Sequence, residues 1–374
     1  QQVLLSLQRM NRVRHIDPAN LTVTAEAGCV LQQLQQSCAE QGLLYPLSLG
    51  SEGSCTVGGN LSTNAGGTQV LRYGNARELC LGLEVVTAQG DVWHGLTGLR
   101  KDNTGYDLRD LYIGSEGTLG IITEVTLRLQ GIPEAISAAS CSFPTVEAAC
   151  EAVMAVIQYG LPVARIELLD ALVVKAVNAY SKLTLPETPL LLLEFHGSDA
   201  GVAEQAETFG ALAAEFGGTG YAATTTAEER NKLWQARHDA YWAMLALRPG
   251  SKAVATDVCV PISKLAEAVV GANNKAAELG LIAPVVGHAG DGNFHASLLL
   301  DMDNPVEVAN AEIYVSWLND QAIALGGTCT GEHGIGQGKR PYLVKELGGA
   351  VDVMVAIKQA LDPQGIMNPG KILP

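Results

Sequence analysis

Two histidines, His288 and His295, lie either side of Asp291-Gly292 in the run Val285-Val286-Gly287-His288-Ala289-Gly290-Asp291-Gly292-Asn293-Phe294-His295. Asp-Gly between two apolar segments is a strong signal for a two-residue hairpin turn. Centred there, the register predicts Gly290 opposite Asn293, Ala289 opposite Phe294 and His288 opposite His295. Directly opposed residues share a sheet face, so the two imidazoles could chelate one divalent metal. A slip by one residue would separate them. The alternative is two unrelated histidines in a core hairpin.

A third ligand is available in Gly331-Glu332-His333-Gly334-Ile335-Gly336. Glu332 and His333 follow a predicted strand, Gly327–Thr330, among glycines that let a ligand approach. Two histidines and a glutamate with an open position make a catalytic set for zinc or a related metal. His333 would then be available as a general base. A turn with two solvated side chains is the alternative. Arg237, in Trp234-Gln235-Ala236-Arg237-His238 on a predicted helix, is a candidate for bidentate carboxylate binding, though such an arginine is more often a solvated helix charge.

Two glycine-rich clusters suit a different ligand. Residues 50–67 hold six glycines and seven Ser, Thr or Asn in eighteen positions. Glycine lets backbone amides approach a polar cofactor closely, and the hydroxyl and amide side chains add donors. Neither a Walker A loop nor a dinucleotide-binding G-x-G-x-x-G occurs there. Gly114-Ser115-Glu116-Gly117-Thr118-Leu119-Gly120, before a β-branched strand, reads the same way. Tight turns are the alternative for both.

The elements that must position these residues fall into three stretches. Residues 1–130 read as short strands and turns, with strands at Val3–Leu7, Leu21–Gly28, Leu83–Thr87 and Ile121–Leu129, a partner strand at Val92–His94, and a helix over Val30–Gly42. From 135 to 275 strands alternate with helices: helix Val146–Tyr159, strand Pro189–Gly197, helix Ala200–Gly217 capped by Ser198 or Asp199, and helix Ala227–Leu247. The last stretch holds the hairpin, helices over 306–325 and 347–361, and an extended tail through Met367-Asn368-Pro369-Gly370-Lys371. Gly131-Ile132-Pro133 is the expected linker.

Composition narrows the classes. Of 374 residues, 47% are hydrophobic and 17% charged, which supplies packed cores and excludes a mainly disordered chain. The length suits roughly two or three domains. A net charge of −15 without a basic patch argues against nucleic-acid and anionic-membrane binding. No apolar run reaches the roughly 18–20 residues of a transmembrane helix. The eight cysteines show no C-x-x-C spacing and read as small hydrophobes in a reduced compartment.

Taken together, Val57-Gly58-Gly59-Asn60 to Gly67, Lys101-Asp102-Asn103-Thr104-Gly105-Tyr106-Asp107-Leu108, Gly114 to Thr123, Gly287 to His295, Gly331 to Gly336 and Met367 to Lys371 resemble the FAD-linked 2-hydroxy-acid dehydrogenases. These belong to the vanillyl-alcohol-oxidase/PCMH flavoprotein superfamily and include D-lactate, glycolate and D-2-hydroxyglutarate dehydrogenases. The resemblance implies an α+β chain. Residues 1–132 form a PCMH-type FAD-binding domain. Residues 133–374 form an FAD-linked oxidase C-terminal domain, an antiparallel sheet covered by helices, with a last segment capping the flavin. By resemblance, Gly58, Gly59, Asn60, Thr63, Asn64, Gly67, Gly117, Gly120, Ile122 and Asn368 are flavin contacts. His288, His295 and Glu332 resemble metal ligands for zinc or manganese, His333 the base, and Arg237 the substrate-carboxylate clamp.

The family's pyrophosphate loop has no match in residues 1–20. The chain is therefore expected to be truncated upstream, with its targeting region and part of the FAD site outside it. The reaction implied is metal-assisted oxidation of a D-2-hydroxy acid. D-lactate is favoured, because a D-2-hydroxyglutarate enzyme would place Lys at Ala255 and Asn at Ser297. D-2-hydroxyglutarate, glycolate, or a non-catalytic FAD-binding subunit are the alternatives. A flavin-free metal hydrolase would leave the glycine clusters without a purpose. The electron acceptor, a quinone, cytochrome or electron-transfer flavoprotein, is not specified by the residues. A homodimer is allowed, and the expected location is cytoplasmic or peripheral on the inner membrane face.

Overall fold

The structure, a computed structural model, describes residues 3–374. By internal contact the chain divides into two compact units: residues through Ile132 together with Glu332–Pro374, and Pro133–Gly331. The first boundary falls at the expected linker. The last segment, read as a cap closing from the second domain, packs within the first unit.

The first unit is built on seven strands: β1 Val13–Asp17, β2 Thr22–Glu26, β3 Leu43–Leu44, β4 Cys80–Val86, β5 Val92–Gly95, β6 Ile121–Arg128 and β7 Gln130–Gly131. Five form an antiparallel sheet in the order β1-β2-β6-β4-β5, and β3 pairs with β7. Alternation explains β2: Val23 and Ala25 are fully buried and face Leu34, Leu83, Val85, Val125 and Leu127 in one core. The β4–β5 hairpin follows its turn signal, with Val86 opposite Val92 and Gly90 at φ +88°. Residues Val3–Leu7, expected as a strand, are irregular, and Val3 and Leu4 are almost fully exposed. A β-rich composition without a partner strand does not make a strand.

The second unit carries β8 Ala135–Ser142, β9 Val163–Leu169, β10 Leu190–Gly197, β11 Thr219–Thr224, β12 Lys252–Ala255, β13 Val258–Cys259, β14 Val285–His288 and β15 Asn293–Leu300. All pairings are antiparallel, in the order β11-β8-β10-β9-β14-β15-β12, with β13 also on β15. Helices cover both faces. Phe195 of β10 meets Phe209 of helix Asp199–Glu215 on one face, ring centroids 6.3 Å apart. On the other, Leu190 and Leu192 pack with Trp234, Ala240 and Val173 of helices Ala227–Ala246 and Ala171–Ser181.

Helix Val146–Tyr159 has the expected bounds, with Thr145 capping its start and Gly160 left-handed at its end. Ser198 caps the next predicted helix. The helix expected over 347–361 runs from Ala350 to Leu361, and an unexpected helix, Arg340–Leu347, precedes it across Gly348 with φ +53°. The strand expected at Gly327–Thr330 reduces to one bridge, Cys259 to Thr328. Thr328 exchanges both backbone hydrogen bonds with Cys259, while Gly327 N–H turns back to Ala322 O.

The cysteines behave as apolar fillers. Six of the eight are buried, and burial pushes the thiols of Cys38, Cys80 and Cys150 up to about 12. Asp170 is the buried acid with a pH signature. It caps helix Ala171–Ser181 through Val173 N–H and also accepts from Val285 N–H. Burial nonetheless raises its carboxyl to about 6. The folded state therefore keeps a proton that the unfolded chain, at 3.8, has released. Stability should fall as pH rises between about 4 and 6, by up to about 3 kcal/mol. Melting curves of wild type and Asp170→Asn test this: the variant should gain on wild type across that window.

Candidate active site

Arg165, Glu167, Glu194, His288 and His295 share one face of the second unit's sheet. His288 ends β14 and His295 lies in β15; both are buried, at 6% and 8% exposure. The expected register is corrected by two residues. His288 pairs with Asn293 and Val286 with His295, so four residues, Ala289 to Gly292, make the turn. Contacts from outside the hairpin widen it. Val260 N–H donates to Gly292 O, Ala289 N–H donates to Ile166 O, and Gly292 sits at φ +77°, where a Cβ would lie 2.0 Å from Val260 O. An even shift preserves the face. The histidines become diagonal neighbours instead of opposed ones, with ring centroids 5.6 Å apart and planes at 83°.

Each ring is held through Nδ1. His288 Nδ1–H donates to Glu167 Oε1 at 2.6 Å, and His295 Nδ1–H donates to Thr256 O at 3.0 Å. With Nδ1–H donating, each ring carries its lone pair on Nε2, the tautomer of metal-binding histidines. The donor set therefore fits a divalent metal. Asp257 Oδ1 stands 3.7 Å from His295 Nδ1 and also accepts from Asn293 Nδ2 at 2.9 Å. Gly331 closes against this pair: a Cβ there would lie 2.0 Å from Asn293 Nδ2. Glu332 follows it by one peptide bond.

Arg237 reaches the same face from helix Ala227–Ala246. Its Nε–H donates to Glu167 Oε2 at 2.7 Å. Its four Nη–H donors have no hydrogen-bond partner among the described residues. Glu167 is fully buried. Burial alone would raise its carboxyl, but His288 and Arg237 pull it below the ordinary value. Two residues along β9, Arg165 gives both Glu194 oxygens a hydrogen bond at 2.8 Å and stacks 3.9 Å from the Trp234 ring centroid.

In the first unit, the two glycine clusters adjoin the C-terminal segment. Glu332 Oε2 accepts from Gly67 N–H at 2.8 Å, and its Oε1 stands 3.8 Å from His333 Nε2. The His333 side chain is half exposed. Glu116 accepts from Ile335 N–H and Gly336 N–H at 2.7 and 2.9 Å, and its carbonyl accepts from Asn368 Nδ2 at 2.6 Å. Lys358 Nζ ties Thr118 O to Met367 O. These bonds hold residues 332–374 to the first unit.

The expected flavin contacts divide by environment. Gly58, Gly67 and Gly120 are small for packing: a Cβ would meet Ala27 Cβ at 2.5 Å, Ser48 O at 2.1 Å and Val85 Cγ1 at 2.7 Å respectively. Gly117, at φ +70°, has open space beside it. Gly59 meets only the Thr56 hydroxyl, at 3.2 Å. Ile122 is buried in β6. Thr63 Oγ1 donates to Gly59 O, and Asn64 Oδ1 accepts from Arg77 N–H. Asn60 is buried, and its Nδ2 has no partner among the described residues. An orphaned amide donor in a glycine-rich turn fits a cofactor acceptor, so the cluster is suited to a flavin.

Sequence reasoning missed Glu167, Asp257, Asn293 and the anchoring part of Glu116. Only Glu167 left a signal: an acid inside the apolar run Ile166-Glu167-Leu168-Leu169.

With this geometry in hand, comparison with known proteins defines the class. Residues 132–372 match the family described as FAD linked oxidases, C-terminal domain, and residues 1–95 match an FAD binding domain. A probable mitochondrial D-lactate dehydrogenase of Danio rerio is 43% identical over 99% of this chain and 75% of its own length. A mitochondrial D-2-hydroxyglutarate dehydrogenase of Bos taurus is 36% identical over 100% of this chain and 69% of its own. The solved structure of p-cresol methylhydroxylase superposes with a TM-score of 0.77 at 18% identity, covering 98% of this chain and 78% of that one, which shows the shared fold. The chain spans between 63% and 79% of the length of the curated relatives it matches.

The class is that of FAD-linked oxidoreductases acting on CH–OH donors. Within it, the chain belongs to the FAD linked oxidase family. No helix among the described residues is long and apolar enough to cross a membrane.

Proposed function

We propose that the chain oxidises a D-2-hydroxy acid, D-lactate by preference, to the 2-oxo acid. The observation that carries this reading is Arg237. Its Nε is committed to Glu167, while the outer edge of the guanidinium has no hydrogen-bond partner among the described residues, which suits a single substrate carboxylate. Ala255 and Ser297 add support. They are register partners in β12 and β15, and Ser297 lies two residues beyond His295 on the same strand. This uncharged pair offers no cation to a second carboxylate.

In this reading His288, His295 and Glu332 hold a divalent cation, zinc or manganese. The cation would supply Lewis-acid lowering of the substrate hydroxyl pKa. Arg237 binds and orients the carboxylate. His333 accepts the hydroxyl proton at its ring nitrogen. Asn60, Gly59 and Gly117, with Gly58, Thr63, Asn64, Gly67, Gly120, Ile122 and Asn368, frame the FAD. FAD supplies the hydride acceptor.

Anaerobic titration of the FAD-loaded protein with D-lactate, L-lactate, D-2-hydroxyglutarate and glycolate is the test. D-lactate should bleach the flavin fastest, and a chelator should slow that bleaching. A flavin that none of the four reduces would sink the reading and favour a non-catalytic FAD-binding subunit.

A further inference from the structure

We infer that Glu167 is a positioning residue that holds the carboxylate-binding Arg237 and the metal-ligating His288 at a fixed separation. The inference rests on the proposed oxidation of a 2-hydroxy acid and deepens it. Such a substrate presents its hydroxyl and its carboxylate on adjacent carbons. The two protein groups that receive them must therefore be spaced to match. Glu167 touches both.

Glu167 lies in the middle of β9, directly opposite His288 of β14 on one side and Leu192 of β10 on the other. It is fully buried. A carboxylate at such a site is costly unless both oxygens are satisfied. Here they are divided: Oε1 accepts from His288 at 2.6 Å and Oε2 from Arg237 at 2.7 Å. The carboxyl group is rigid, so moving either partner moves the other or breaks a short bond.

The neighbouring charge pair makes the arrangement specific. Arg165 shares the face of Glu167, yet it is committed to Glu194. Its guanidinium stacks on Trp234, three residues before Arg237 on the same helix. That helix is thus pinned over β9 at two points, Trp234 on Arg165 and Arg237 on Glu167. The first sets where the helix lies. The second sets how the Arg237 fork is turned. A core position needed only for packing would hold an apolar side chain here, as Leu169 does two residues on.

The test uses FAD-loaded Glu167→Gln and Glu167→Asp, with His288→Ala and Arg237→Gln for comparison. Zinc affinity is measured by competition with a chromophoric chelator, without substrate. FAD content, melting temperature, and KM and kcat for D-lactate at saturating zinc are measured alongside. Glu167→Gln should lose about 10–100-fold in zinc affinity, the usual effect of removing a carboxylate behind a metal-bound histidine. It should also raise KM about 10-fold with FAD content unchanged, because the Arg237 fork is no longer fixed. His288→Ala should lose zinc, and Arg237→Gln should raise KM with zinc affinity nearly intact. Only the Glu167 variants should move both quantities.

Glu167→Asp keeps the buried charge but is too short to span both partners. It should lose at least one of the two effects' worth of function, and it decides the question if Glu167→Gln does not accumulate folded. Wild-type zinc affinity and wild-type KM in both variants would overturn the inference. If the unaltered protein takes up neither zinc nor manganese, the metal reading itself fails. That outcome is recognisable because wild type and His288→Ala then show the same absence of zinc uptake.

Discussion

His288→Ala should lower kcat/KM for D-lactate by about 10³-fold or more while leaving most of the FAD in place. A metal acting as Lewis acid contributes several kcal/mol to a transition state, and each 1.36 kcal/mol is tenfold in rate. His288 belongs to the unit that carries Arg237 and Glu167, whereas the glycine clusters belong to the other. Flavin content should therefore respond weakly. Glu332 needs a different variant. Its Oε2 accepts from Gly67 N–H inside the first glycine cluster, so Glu332→Ala would disturb the metal and that turn together. Glu332→Gln keeps an acceptor for Gly67 and removes the charge, and should cost comparable activity with FAD retained. Zinc content by elemental analysis, flavin absorbance and turnover distinguish these effects. Full turnover of His288→Ala and Glu332→Gln after chelation would remove the metal from the chemistry.

How much of this could be read before folding depends on the range of the interactions. Helix Val146–Tyr159 and strand Thr22–Glu26 follow from local periodicity and caps, and both appear where expected. The histidine pair was legible in kind but not in register. Turn chemistry favoured Asp291-Gly292 as a two-residue loop. The bonds that widen it come from Val260, some thirty residues earlier in the chain, and from Ile166 on β9. The error was harmless to the site only because a shift of two leaves each side chain on its face.

Glu167 was illegible for a related reason. Its partners lie 70 and 121 residues away, and no local pattern brings β9, β14 and the helix of Arg237 together. The C-terminal segment shows the same limit. Ile335 and Gly336 are fixed by the carboxylate of Glu116, 219 and 220 residues back, which composition cannot foresee. Arg237 stood between the two cases. Its type and apolar neighbours allowed a carboxylate clamp, but a solvated helix charge was the commoner outcome. The pairing with Glu167 is what separates it from that alternative.

That pairing also sets the size of the second large effect. Arg237→Gln should raise KM for D-lactate and lower kcat/KM by about 10²-fold or more, since each hydrogen bond to a charged group is worth about 1.5–3 kcal/mol and the fork offers two. Arg237→Lys is the more informative variant. A lysine carries the charge but has one compact donor head, which cannot both satisfy Glu167 and present two parallel donors to a substrate. It should recover only a minor part of the loss. A lysine that restored wild-type KM would mean that charge alone matters and that the geometry around Glu167 is incidental. A glutamine that left KM within about threefold would mean more: the carboxylate would then bind elsewhere, because losing a charge-assisted pair costs more than that. The two variants thus separate a charge requirement from a shape requirement at one residue, with zinc and flavin contents as the check that neither cofactor site has moved.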